Sequence, residues 1–198
     1  MAKKKFYAVR KGFKTGIFNT WTECSKQISG FKGAEFKSFP TKEEAENFIL
    51  GIKKEIEIDE NTIEAYVDGS YEHSIKKYGS GIVILRNKEV IHKESFGGKE
   101  SEYISMRNVA GEIKASEYAM NYCIKNNIPR LILYYDYQGI EKWCTGDWKA
   151  NKQGTIEYRD FYNSVKNKLE VTFVKVAAHT GDTYNEMADK LAKEGLNK

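Results

Sequence analysis

The chain has 198 residues, 40% hydrophobic and 30% charged, with 16 glycines against 2 prolines. That balance excludes a disordered, collagen-like or proline-rich chain, and the length excludes a large multidomain enzyme. The net charge of +4 is unevenly spread: residues 1–50 hold 10 Lys and Arg against 5 acids, residues 51–61 hold 2 against 4, and the remainder holds 20 against 19.

A basic front end joined to a near-neutral body suggests a polyanion-binding module attached to something else; an ordinary lysine-rich surface would give the same count. The longest apolar runs, residues 82–85 and 131–135, fall far short of the ~20 residues a membrane span needs, and residues 6–9 are too few for a signal-peptide core. Cys24, Cys123 and Cys144 lie far apart with no CxxC pair, which suggests neither a disulfide framework nor a zinc site. The expectation is a soluble, cytoplasmic protein without a membrane partner.

In chain order, residues 5–10 predict a strand, Lys14-Thr15-Gly16 a turn, and Ile17-Phe18 the resumed strand. A helix starts at Thr22 and ends at Gly30; residues 34–39 alternate as a strand. Thr41 and Glu44 fit a capping box, and Ala45, Phe48 and Ile49 give the following helix an apolar face. The composition changes over 51–61, which reads as a linker. Beyond it, residues 62–67 predict a strand ending at Asp68-Gly69, and 81–85 with 89–96 a hairpin across Arg86-Asn87-Lys88. Helices are predicted over 109–126, 139–144, 157–168 and about 184–194, with strands over 131–135 and 171–176. Meandering strands followed by βα units imply a mixed sheet whose later strands are parallel.

Asp68 and Asp136 each follow an apolar strand, and side chains at neighbouring strand ends converge on one crevice. Glu112 lies near the start of a helix, and Asn185 and Asp189, four apart, share a face of the last one. Four carboxylates from four elements would repel one another unless a cation joined them. All-oxygen ligands favour Mg²⁺ or Mn²⁺, and two such ions about 4 Å apart suit phosphoryl transfer. The same spacing also fits turn residues and a solvated helix face.

Residues 62–195 resemble type 1 ribonuclease H, through Tyr66-Val-Asp-Gly-Ser70, Gly111-Glu-Ile113, Tyr135-Asp136 and, most specifically, Ala178-His-Thr-Gly-Asp-Thr-Tyr-Asn-Glu-Met-Ala-Asp189. The resemblance implies a ribonuclease H-like α/β fold, a mixed five-stranded sheet with flanking helices, preceded by a small α+β hybrid-binding domain. It implies Asp68, Glu112, Asp136 and Asp189 as ligands of two Mg²⁺ ions, with Mn²⁺ as the other candidate, Asp68 nearest both. His179 would assist proton transfer or product departure, and Asn185 would touch the substrate or the metal shell. Departures are Tyr137 where the family usually has Ser, Arg107-Asn108-Val-Ala-Gly111 before Glu112, and Ala178 before His179. A long basic loop is missing between Trp143 and Glu157, with Lys149 and Lys152 its only remnants.

Residues 5–50 resemble the N-terminal hybrid-binding domain of many such enzymes, through Phe6-Tyr-Ala-Val-Arg10, Lys14-Thr-Gly-Ile17, Thr20-Trp-Thr-Glu-Cys24, Phe36-Lys37 with Phe39, and Thr41 with Glu44-Ala45. Trp21 and Phe36 would form an aromatic groove for the DNA strand, with Arg10, Lys14 and Lys37 on its phosphates; in a small domain both rings also suit core packing. Ser38 stands where a second lysine is common. The organisation expected is a hybrid-binding domain over 1–50, a linker over 51–61 and a catalytic domain over 62–198. The activity implied is a monomeric endonuclease that hydrolyses the RNA strand of RNA–DNA hybrids and leaves 3′-hydroxyl and 5′-phosphate ends. The alternative is a non-catalytic binder of hybrids or double-stranded RNA; double-stranded RNA is also a candidate ligand of the N-terminal domain.

Overall fold

A computed structural model describes residues 5–52, 56, 58–176 and 182–198. The chain forms two compact units, Met1–Glu57 and Ile58–Lys198.

The first unit is a three-stranded antiparallel sheet, order β2-β1-β3, built from β1 (Phe6–Lys11), β2 (Gly16–Phe18) and β3 (Glu35–Phe39), with α1 (Trp21–Ile28) and α2 (Lys42–Leu50) packed on it. Its core is small: Ala8, Val9, Cys24 and Ala45 are fully buried. Helix α1 begins at Trp21, one residue before the expected start, because Thr20 is its cap. The Thr20 hydroxyl accepts from the Glu23 N–H and the Glu23 carboxylate accepts from the Thr20 N–H. At Thr41 the forward half of such a box is present, the hydroxyl accepting from the Glu44 N–H.

The second unit is a five-stranded mixed sheet, order β6-β5-β4-β7-β8. Strands β4 (Thr62–Glu72), β5 (Lys77–Arg86) and β6 (Glu89–Gly98) are antiparallel; β7 (Arg130–Tyr135) and β8 (Glu170–Lys175) run parallel to β4. Helices α3 (Ser101–Ile104), α4 (Asn108–Lys125), α5 (Gly139–Thr145) and α6 (Gln153–Val165) enclose the larger core with one face of the sheet, through Ile63, Ala65, Val67, Ile82, Ile84, Leu131 and Leu133. Helix α7 (Thr183–Gly195) covers the other face over Tyr66, Val83 and Leu85. The alternation of Ile63, Ala65 and Val67 against Tyr66 is the period-two pattern of a strand buried on both faces.

Three expectations are corrected. Strand β4 does not end at Val67: Asp68 lies within it, paired with Gly81, and the strand runs on to Glu72. Strand β5 starts at Lys77 rather than residue 81. Helix α6 spans Gln153–Val165, four residues ahead of the expected start.

Candidate active site

Two glycines bring two helices to Asp68. A Cβ at Gly69 would lie 2.0 Å from the Asn108 carbonyl oxygen and 2.4 Å from the Glu112 nitrogen, so the first turns of α4 rest directly on β4. A Cβ at Gly81, the partner of Asp68, would lie 2.0 Å from the Ala188 carbonyl oxygen, so α7 rests on β5 just where Asp189 follows. Only glycine permits such backbone contact. Glu112 is thereby delivered from one face of the sheet and Asp189 from the other.

Asp136 arrives through the parallel ladder. Tyr66 and Tyr134 are register partners, so Asp68 and Asp136 each lie two residues further along adjacent strands. Asp136 stands immediately after β7; Asp68 lies just beyond the β4–β7 pairing while β4 itself continues. The backbone N–H groups of Asp136 and Tyr137 both donate to Glu112 Oε1, at 3.1 and 3.3 Å.

Glu112 is only 2% exposed. Burial pushes its carboxyl well above the usual range, and the charges of Asp136 and Asp68 push it further; the two amides pull the other way. Asp189 Oδ2 accepts from Lys193 Nζ at 2.6 Å, one helical turn on. That hydrogen bond, then the charges of Asp189 and Asp68, raise the Lys193 ammonium pKa. Asn185 is buried, and its side-chain oxygen has no hydrogen-bond partner among the described residues. Its backbone N–H is capped by Asp182.

Among the described residues, no three His, Cys, Asp or Glu side chains form a ready-made metal cage. Glu112 is turned to backbone amides and Asp189 to Lys193. The donor set still fits a hard divalent ion: the oxygens are carboxylate, the charges of Asp136 and Asp68 bear on Glu112, and the buried Asn185 oxygen has no hydrogen-bond partner among the described residues. His179 lies outside the described residues.

In the N-terminal unit, Trp21 is 50% and Phe36 43% exposed, so neither is core. The Tyr7, Trp21 and Phe36 rings form a row, with centroids 5.9 and 5.8 Å apart. Lys14 is exposed on the turn between β1 and β2. Arg10 and Lys37 are not on that row. Arg10 pairs with Glu35 at 2.6 Å and lies over the Phe48 ring, and Lys37 lies over Phe39. Alternate side chains of a strand point to opposite faces, so Lys37 and Phe36 diverge.

Two contributors were not expected from sequence: the Tyr137 amide, which no pattern of side chains signals, and Lys193, which the four-residue spacing from Asp189 could have signalled.

Residues 60–197 match the family model described as RNase H, 138 of the 198 residues. The chain belongs to the ribonuclease H family. Residues 5–49 match the Ribonuclease H1 N-terminal domain. Ribonuclease H of Schizosaccharomyces pombe is 34% identical over 99% of this chain and 98% of its own length. Ribonuclease H1 of Homo sapiens is 26% identical over 98% of this chain and 90% of its own length. Among solved structures, RNase H1 of the halophilic archaeon Halobacterium salinarum NRC-1 shares the fold with a TM-score of 0.58 at 21% identity, over 69% of this chain and 98% of that one. LC11-RNase H1, solved in complex with an RNA/DNA hybrid, gives 0.57 at 19% identity over 68% of this chain and 96% of that one. The protein is thus a ribonuclease H enzyme, and RNA–DNA hybrids are the substrates of its family.

Proposed function

We propose that this chain is an endonuclease that cuts the RNA strand of RNA–DNA hybrids at Asp68, Glu112, Asp136 and Asp189, leaving 3′-hydroxyl and 5′-phosphate ends. The observation that carries the reading is Glu112, a buried carboxylate under the charge of two more. Such a convergence costs stability until a cation relieves it. Two Mg²⁺ or Mn²⁺ ions held by the four carboxylates would activate water and stabilise the leaving oxygen of the phosphodiester.

The remaining roles belong to the chain itself. The Asp136 and Tyr137 amides orient Glu112. Asn185 offers a buried oxygen to a sugar hydroxyl or a water of the metal shell. Lys193 balances the charge of Asp189. His179 takes the role that the family resemblance gives it, assisting proton transfer or product departure. In the N-terminal unit, the Tyr7–Trp21–Phe36 row stacks on the DNA strand of the hybrid, with Lys14 and neighbouring cations on its phosphates.

The experiment is Asp136→Asn, assayed for hybrid cleavage and, separately, for hybrid binding. Losing a group that merely orients a metal ligand typically costs about 10–100-fold, so losing a ligand should cost more, while binding survives. Turnover within about tenfold of the parent contradicts the assignment.

A further inference from the structure

We infer, on the basis of the carboxylate reading above, that Tyr137 is a positioning residue for Glu112, its backbone fixed by an aromatic clamp on its ring. Two amides on one carboxylate oxygen orient it only if the turn that carries them is fixed. The 136–137 turn lies past the end of β7, where the ladder to β8 stops at the Tyr135–Lys175 pair, so strand pairing does not hold it.

The ring does. It lies 5.8 Å from the Trp143 ring, tilted at 49°, and 6.2 Å from Trp148, edge-on at 70°; the two indoles are themselves 6.1 Å apart. Such tilted and edge-on pairs are attractive beyond their buried area. Gly139 closes the clamp from below, since a Cβ there would lie 2.4 Å from Tyr137 Cε1 and 2.6 Å from the Trp143 ring. The Trp148 side is pinned by the Trp148 backbone N–H donating to the Lys142 carbonyl at 3.0 Å, with the Lys142 ammonium 5.6 Å over the indole. Trp143 is buried, whereas Tyr137 and Trp148 are 36% and 37% exposed. Ring packing therefore adds to that hydrogen bond a restraint that burial alone would not supply. The chain runs from this clamp through the Tyr137 amide to Glu112 Oε1 without a gap.

Nothing in this role needs the phenol hydroxyl, so Tyr137→Phe should keep it and Tyr137→Ser should lose it. The measurement is Mg²⁺ binding to the full chain by calorimetry without nucleic acid, paired with kcat and KM on a hybrid. Tyr137→Ser should weaken Mg²⁺ binding and lower kcat by about 10–100-fold, as loss of a ligand-orienting group does, with KM unchanged. Gly139→Ala, which leaves residue 137 a tyrosine but drives a Cβ against its ring, should do the same while circular dichroism stays that of the parent. Parent-like Mg²⁺ binding in Tyr137→Ser, or a change confined to KM, overturns the inference and leaves the carboxylate reading standing. A parent chain that takes up neither Mg²⁺ nor Mn²⁺ overturns both.

Discussion

A carboxylate removed from water beside two others tends to keep its proton, and Glu112 is in that position. Its unfolded value is about 4.3, and burial raises the folded one above that. Below about pH 4.3 both states hold the proton and the protonated carboxyl contributes its full stability. As pH rises through the folded value that stability is lost. Glu112→Gln should therefore raise the urea midpoint of the metal-free protein at neutral pH, with the gain shrinking as pH falls toward 4.3, while cleavage disappears. Equal urea midpoints for parent and variant at neutral pH in EDTA would contradict this account of Glu112. The acids themselves were legible because each sits in a short motif of specific residues. The Tyr137 amide was not, because a backbone donor leaves no mark on residue type. Trp21 and Phe36 could be core or groove from sequence, and their exposure excludes the core. The pairing of Arg10 with Glu35 was not legible, because a contact between residues 25 apart is a tertiary event.

At the scale of elements, the site depends on close helix-to-strand approach. Gly69→Ala would force a Cβ into the Asn108 carbonyl, so α4 must lift and take Glu112 with it. Overpacking of this kind costs about 1–3 kcal/mol, occasionally more. Urea unfolding and hybrid cleavage should both fall in this variant; parent-like values in both would show that α4 does not depend on that contact. The same glycines explain the misplaced strand ends. Asp68-Gly69 reads as a strand end and Gly81 as a strand start, yet Gly69 pairs with Ser80 and Asp68 with Gly81 inside continuous strands. They are glycine because helices touch them, which sequence spacing does not reveal. Helix α3 was missed because four residues carry no period. Helix α6 starts early because Gly154, a helix breaker by propensity, lies in the helix against Tyr103 and Met106. Long periodic segments such as α4, and the parallel β7 and β8, were legible because burial on fixed faces sets their pattern.

At the scale of the whole molecule, the positive charge gathers in residues 1–50, while residues 62–198 hold 20 Lys and Arg against 19 acids. Phosphate contacts carry much of the affinity, and each steepens the log–log salt dependence by about one unit. Deleting residues 1–50 should leave kcat intact, because the second unit has its own core, but raise KM on long hybrids and flatten the salt slope. Trp21→Ala should reproduce part of that, since stacking is worth roughly 1–3 kcal/mol per base. A truncated enzyme with the parent KM and salt slope would make the first unit something other than a substrate-binding module. The central claim is that the carboxylates of this chain hydrolyse RNA paired with DNA. Its most direct test is cleavage of one end-labelled sequence, presented as RNA–DNA hybrid, duplex RNA and duplex DNA, with Mg²⁺, Mn²⁺ or EDTA. The account predicts internal cuts in the RNA of the hybrid alone, with 5′-phosphate and 3′-hydroxyl ends, and none in EDTA. Undiminished cutting in EDTA, or equal cutting of duplex DNA, would contradict it.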